Sequence, residues 1–226
     1  MIDAALRSRS VASSPLDVYG VALRRAAAGN PVVLNAADPA GRSRSLAPAA
    51  WCGGLVDGDE SLLRRCVGPV LDVGCGPGRL AGALAARGHP VLGIDVSAEA
   101  VRLALLRKVS VLRRDVFAPL PGEGRWARVL LADGNIGIGG DPARLLRRCR
   151  QVAASRGAVL VELDPPGAPS WAGHLRLSVD GERASAPFPW AYVGVDDVAA
   201  LARTVGLRVR EQWTEAGRWF ASMSGI

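Results

Sequence analysis

Three glycines and four aspartates carry the chemistry legible in this 226-residue chain. Residues 71–80 read LDVGCGPGRL, with an apolar run (69–73) leading in and an amphipathic stretch (79–88) following. That order places the glycines on a strand-to-helix turn. Gly74, Gly76 and Gly78 have no Cβ, so the turn can be tight and a ligand can approach the backbone closely. Three glycines in five residues exceed what an ordinary turn needs. The spacing matches neither G-x-x-x-x-G-K-[ST] nor G-x-G-x-x-G, because Arg79 stands where the latter has its last glycine. Departure from both phosphate motifs points to an adenosine ligand without a pyrophosphate at the helix start.

The aspartates sharpen that reading. Asp72 lies inside the first apolar run and Asp95 ends the second (91–95), 21 residues after Gly74. Asp115 follows the third (109–112) and Asp133 ends the fourth (127–133). Their intervals of 23, 20 and 18 residues put one acid in each strand-helix unit. A carboxylate at 95 can accept two hydrogen bonds from a ribose diol. One at 115 can accept from an adenine amino group, and Asp72 can face a ligand ammonium group. Cys75 sits in the turn beside a helix start, where a low-pKa thiol is conceivable. We read it instead as a small residue tolerated beside the ligand.

These residues need elements to hold them. Strand-helix alternation with apolar, non-alternating strands implies an α/β fold, a parallel sheet covered on both faces, with ligands beyond the strands' carboxyl ends. Residues 16–28 read as a helix ending at Gly29, and Asp141-Pro142 as a helix start. Ser97 can cap the helix before the third strand. Residues 35–61 have weak periodicity and read as a lid or loop with short helical pieces. Further on come a strand (158–164), a hairpin (174–187) turning at Asp180-Gly181, a capped helix (195–206) and two closing strands (207–213, 218–223). We divide the chain into a frayed tail and helical lid over 1–60 and a binding domain over 61–226, with a hairpin insertion near 170–190.

Composition removes several classes. The chain is 49% hydrophobic and 22% charged, ordinary for a globular protein, and no apolar run approaches the length of a spanning helix. The net charge is +7, but 27 of the 28 basic residues are arginines spread over the whole chain and aromatics make up only 5%. That pattern lacks the basic-aromatic platform of a nucleic-acid binder. Cys52, Cys66, Cys75 and Cys149 form no C-x-x-C pair, and with only His89 and His174 beside them we expect no metal site. Free cysteines without an apolar leader point to the cytoplasm.

LDVGCGPGRL together with GIDVS (93–97), RRDVF (113–117) and LLADGN (130–135) resembles the class I S-adenosylmethionine-dependent methyltransferases. The resemblance implies a doubly wound, mostly parallel, seven-stranded Rossmann-like sheet with an antiparallel C-terminal strand, here with an N-terminal helical lid. It implies S-adenosylmethionine as cofactor. Asp72, Gly74, Cys75, Gly76 and Gly78 would line its methionine part. Asp95 would hold the ribose hydroxyls, Asp115 and Val116 would flank the adenine, and Asp133, Gly134 and Asn135 would pass beneath the methyl group; Val96 would also bind the cofactor. The turn 133–140, DGNIGIGG, departs from the Asn-Pro-Pro-aromatic motif of many nucleic-acid and protein methyltransferases, which favours a small-molecule acceptor.

Acceptor walls should come from outside the sheet core, residues 16–60 and 164–194, where Tyr19, Trp51, Trp171, His174, Trp190 and Tyr192 are the large side chains. His174 and Asp133 are the candidate catalytic residues, His174 as general base. Two other functions fit less of the pattern. One is an S-adenosylmethionine-binding protein of the same fold that does not methylate. The other is a nicotinamide-dependent oxidoreductase, which Asp95 would suit and Arg79 would not.

Overall fold

The computed structural model describes residues 13–182 and 184–225, so most of the expected N-terminal tail lies outside the described residues. Helix α1 (Pro15–Ala27) starts where Ser14 Oγ accepts the Leu16 N–H and Pro15 fills the first turn. Strands β1 (Leu34–Ala37) and β2 (Ser43–Leu46) and short helices α2 (Pro48–Cys52) and α3 (Asp59–Leu63) follow. Then come β3 (Val70–Val73), α4 (Arg79–Ala86), β4 (Val91–Asp95), α5 (Ala98–Leu106), β5 (Val111–Arg113) and β6 (Trp126–Leu131). Helix α6 (Pro142–Val152) opens on Asp141, whose Oδ1 accepts the Arg144 N–H at 2.9 Å, and Ser97 caps α5 in the same way. The chain continues through β7 (Ala153–Leu163), β8 (Trp171–Val179), β9 (Phe188–Tyr192), α7 (Val198–Thr204), β10 (Leu207–Glu215) and β11 (Arg218–Gly225).

Seven strands form one sheet in the order β10-β11-β7-β6-β3-β4-β5. Every pair from β7 to β5 is parallel, and β11 runs antiparallel to both β7 and β10. Both faces are buried, as uninterrupted apolar strands require. Leu71, Val73, Val129, Leu131, Val159 and Val161 share a core with Leu145, Leu146 and Cys149 of α6 and Val198 of α7. The alternate residues Val70, Leu130 and Leu160 pack with Leu62, Leu63, Leu80 and Leu84 of α3 and α4 on the opposite face. From β3 the chain moves outward to β4 and β5, then crosses back to pair β6 with β3. The switch in direction therefore falls beside the carboxyl end of β3, where the glycine turn begins.

The lobe above that edge differs from the expected helical lid. Residues 34–46 form a β-hairpin, and with β8 and β9 they make a second sheet, β2-β1-β8-β9, antiparallel throughout. The lobe thus draws on both sides of residue 60. The hairpin escapes a local reading because β2 is an exposed edge strand of polar residues and β1 buries only Leu34 and Ala36. The Asp180-Gly181 turn has the two positive φ values of a type I′ turn, 53° and 76°, and Glu182 N–H donates to Val179 at 2.9 Å. The return strand starts later than expected, at Phe188 rather than directly after the turn. Val18, Ala22, Leu34, Leu175, Leu177 and Val179 form the lobe's own core, with α1 laid across it. On its other side α1 touches α5, where Leu23 packs with Ala100 and Leu103.

Candidate functional site

The glycine turn is built against two neighbours. The N–H groups of Gly74 and Cys75 both donate to the Ile94 carbonyl of β4, at 2.8 and 3.0 Å. From the other side Asn135 Nδ2 donates to the carbonyls of Val73 and Gly74, at 3.0 and 2.9 Å. Gly74 has φ +71°, and a Cβ there would stand 2.7 Å from Asn135 Nδ2, so only glycine admits this staple. Gly78 corrects an expectation. It does not line the cavity but caps α4 in a left-handed conformation, where a Cβ would meet Ala104 at 3.2 Å and Val109 at 3.1 Å. Its smallness serves the packing of α4 on α5.

Asp95 ends β4, buried, with Oδ2 accepting the Gly76 N–H at 3.0 Å and Oδ1 the Ser97 N–H at 2.8 Å. Each oxygen keeps a free lone pair for an incoming hydroxyl. Burial raises this carboxyl above the usual range. Asp72 is only 2% exposed. Burial first, then the charges of Asp133 and Asp95, push its carboxyl up to about 7. Asp115 is exposed at the mouth and its Oδ1 accepts the Phe117 N–H at 2.9 Å, with Val116 buried beside it and Val96 exposed at the rim. The Cys75 thiol is buried and burial raises its pKa, so it is not poised as a thiolate.

Asp133 sits in a network that sequence reasoning missed. Arg79, the first residue of α4, is buried and grips both Asp133 oxygens, at 2.8 and 2.5 Å, while its other nitrogen pairs with the fully buried Asp59 of α3. Arg218 of β11 also bonds Asp59 (2.7 Å) and holds Glu162 of β7 through two 2.8 Å bonds. Glu162 in turn accepts the Asp133 N–H at 2.7 Å. Asp133 has φ +52°, an uncommon conformation that these contacts hold in place. Burial raises its carboxyl despite Arg79, yet both oxygens are committed to a guanidinium. That suits Asp133 to fixing the turn after β6 rather than to taking a proton. The signal was available in Arg79, at the position where a dinucleotide turn has glycine.

A cavity of about 610 Å³ runs from this turn to the small sheet. Asp72, Gly74, Cys75, Gly76, Asp95, Val96, Asp115, Val116, Asp133, Gly134 and Asn135 all border it. Of the expected wall aromatics, Tyr19, Trp51, Trp190 and Tyr192 do so and Trp171 does not. His174 is a second correction. Along β8 it is Leu175, Leu177 and Val179 that turn inward, leaving Ala172, His174 and Arg176 exposed. With a period of two, His174 faces away from the cavity and cannot serve as its base. Residues 175, 177 and 188 went unremarked in the sequence, although the alternation of Leu175, Leu177 and Val179 with His174, Arg176 and Ser178 is a local mark of β8's inner face.

The sheet order, the glycine turn at the switch and the acids beyond the strand ends define a Rossmann-like, nucleoside-binding α/β protein. Residues 70–157 match the family described as a methyltransferase domain. No curated protein sequence matches the chain. Among solved structures it is similar to an S-adenosylmethionine-dependent methyltransferase from Bacteroides fragilis in complex with S-adenosylhomocysteine. The identity is 20% over 96% of this chain and 98% of that one, with a TM-score of 0.77. A 1,6-didemethyltoxoflavin N1-methyltransferase from Burkholderia thailandensis follows at 16% identity, covering 74% of this chain and 76% of its own, TM-score 0.52. The O-methyltransferase NcsB1 of neocarzinostatin biosynthesis is 23% identical over 70% of this chain and 49% of its own, TM-score 0.52. At such identities these likenesses speak of fold. Residues 70–157 are thus similar to a methyltransferase domain, and the fold is the one those solved structures share.

Proposed function

We propose that the protein transfers a methyl group from S-adenosylmethionine to a small-molecule acceptor by in-line displacement. The observation that carries this is the single cavity joining the glycine turn and its acids to the inner face of the second sheet. Its volume falls within the range of about 300–1,000 Å³ found for small-molecule sites. The cradle suits the cofactor: Gly74 leaves no room for a Cβ beside Asn135, and Asp95 has lone pairs to spare. The Burkholderia and NcsB1 structures hold a small molecule beside S-adenosylhomocysteine, 1,6-didemethyltoxoflavin in one and 1,4-dihydroxy-2-naphthoic acid in the other.

In this reading Asp95 accepts from the two ribose hydroxyls, with Val96 beside it, and Asp115 and Val116 flank the adenine. Asp72 faces the ammonium group across the turn formed by Gly74, Cys75 and Gly76. When bound, the cofactor's sulfonium supplies a methyl group already activated for attack. Asp133, Gly134 and Asn135, clamped by Arg79 and stapled to the glycine turn, form the floor on which the acceptor is aligned. Alignment at about 3–3.5 Å from the methyl carbon is the main catalytic contribution asked of the chain. Among the described residues no helix is long and apolar enough to cross a membrane. The free cysteines, three of them buried, support a reducing cytoplasm as the protein's setting.

Titration calorimetry with S-adenosylhomocysteine tests the reading. Saturable binding is expected, and Asp95→Ala should weaken it about a hundredfold, since two hydrogen bonds to a charged group are lost. Absence of saturable heat, or an Asp95→Ala protein that binds as tightly as the parent, overturns it.

A further inference from the structure

The acceptor half of the cavity has a chemistry of its own. Its walls are Trp51 of α2, Leu175 and Leu177 of β8, and Phe188, Trp190 and Tyr192 of β9. Phe188 and Trp190 meet edge to face with centroids 6.0 Å apart, and Tyr192 is backed by the Arg44 guanidinium 3.7 Å from its ring centre. No lysine or histidine borders the cavity among the described residues. Two arginines do. Arg79 is already shared between Asp59 and Asp133, and Arg114 stands beside Asp115 on the loop after β5, outside α2, β8 and β9. Arg44 itself is held by Asp164 through bonds of 2.8 and 2.6 Å. None of the six wall residues is cationic, so an anionic group buried against β8 and β9 would meet no countercharge from the walls themselves, and its desolvation would go uncompensated there.

The same walls present a few polar atoms. The indole N–H groups of Trp51 and Trp190 and the hydroxyl of Tyr192 make no hydrogen bond to any other described residue, although all three side chains border the cavity. Flat apolar surfaces with a few convergent donors favour a ring that stacks and carries hydrogen-bonding substituents.

We propose that the acceptor is a flat aromatic compound, uncharged where it meets these walls, bearing a ring hydroxyl or amino group as nucleophile. This rests on the methyl-transfer reading above. In the step, the lone pair on the acceptor's oxygen or nitrogen forms the new bond to the methyl carbon as the carbon–sulfur bond breaks. The bonding pair stays on sulfur, leaving a neutral thioether. The acceptor's proton passes to water, because Asp133 is held at both oxygens by Arg79 and no histidine borders the cavity among the described residues.

The test uses the full chain saturated with S-adenosylhomocysteine, titrated with 2-naphthol, 2-naphthoate and 1-octanol. We expect saturable binding of 2-naphthol, with the carboxylate and the open-chain alcohol each weaker by about tenfold or more. Trp190→Ala should weaken 2-naphthol by about tenfold and change S-adenosylhomocysteine affinity by less than about twofold. Should that variant not fold, Trp190→Leu serves, since it keeps an apolar side chain and loses the ring and its N–H. Failure to bind S-adenosylhomocysteine overturns both readings. Binding of S-adenosylhomocysteine with 2-naphthoate as tight as 2-naphthol, with octanol as tight, or with no saturation by either naphthyl compound overturns the inference alone. So does an unchanged affinity for 2-naphthol in a folded Trp190 variant.

Discussion

The two sheets of this molecule meet at one cavity and work by opposite means. In the reading proposed above, the seven-stranded sheet offers its ligand charges and backbone groups: Asp72, Asp95 and Asp115 in or beyond its strands, and a glycine turn whose carbonyls and N–H groups are fixed by β4 and Asn135. The four-stranded sheet offers surface, in Leu175, Leu177, Phe188, Trp190 and Tyr192. One half recognises by directed hydrogen bonds that each tolerate little displacement. The other recognises by shape, which can change by substituting one ring for another. A methyl donor common to many reactions belongs in the first half and a particular acceptor in the second. The two halves meet where residues 137–140, after β6, lie against Pro189, Trp190 and Ala191 of β9, and at the Arg44–Asp164 pair between β2 and the end of β7; the turn that starts this segment is held by Arg79 and Glu162 at Asp133.

Cutting the network that holds Asp133 should have the largest effect. In Arg79→Met, Asp59 keeps Arg218 and the Val56 N–H but loses one of its two cations, and Asp133 loses its clamp, so a buried carboxylate is left under-compensated. Breaking a buried pair in this way costs about 3–5 kcal/mol. For a domain of this size that is a fall in Tm of about 10 °C. A thermal melt checks it, and a fall below about 3 °C would show that Arg218 alone carries the network. If this network sets the position of the segment that meets β9, acceptor turnover should fall with it even at temperatures where the variant is folded.

A second substitution separates the halves by sign. Burial holds the Asp72 carboxyl near 7 in the folded chain against an ordinary value of 3.8. A raised folded value means that stability is greatest below the unfolded pKa, declines as pH rises from about 4, and levels off above about 7. Asp72→Asn removes that loss. It should raise the stability of the ligand-free protein by a few kcal/mol at pH 8 and by less at pH 5. The same change should weaken cofactor binding about tenfold at pH 8, where the parent's carboxylate is ionised and can face the ammonium group, and hardly at all near pH 5. Melts and calorimetry at both pH values read this out. A variant that is no more stable at pH 8 would show that Asp72 stores no strain in the cofactor half.

How much of each half could be read from residues alone follows from how each is assembled. The cofactor half is local: LDVGCGPGRL contains its strand, turn and helix start in ten residues, and the other acids recur at strand ends set by the same alternation. The acceptor half is not. Leu34 finds its partners Leu46 and Val179 across 12 and 145 residues, and β2 has too few apolar side chains to announce a strand. The large aromatics were visible as wall candidates, but which of them face inward depends on a register that only the assembled sheet defines. Gly78 was misplaced for a related reason. A glycine's absent side chain does not say whether it makes room for a ligand or for a neighbouring helix, here Ala104 of α5. Arg79 was overlooked because its partners Asp59 and Asp133 lie 20 and 54 residues away on other elements.

The smallest expected effect is the one that most directly tests that register. His174 pairs across the sheet with Pro189 and sits on the exposed face of β8, between exposed Ala172 and Arg176. A substitution there touches neither the cavity nor a hydrogen bond among the described residues, so His174→Ala should change stability by less than about 0.5 kcal/mol. Cofactor affinity and kcat/KM for any acceptor should stay within about twofold of the parent at pH 6 and at pH 8, the range over which a histidine base would titrate. Leu175→Ala, one residue along, should instead cost about 2–4 kcal/mol, because it empties a buried site in the lobe's core. If the order were reversed, with His174→Ala abolishing turnover in a pH-dependent way and Leu175→Ala silent, β8 would be shifted by one residue and every inward side chain of the acceptor wall would have to be reassigned.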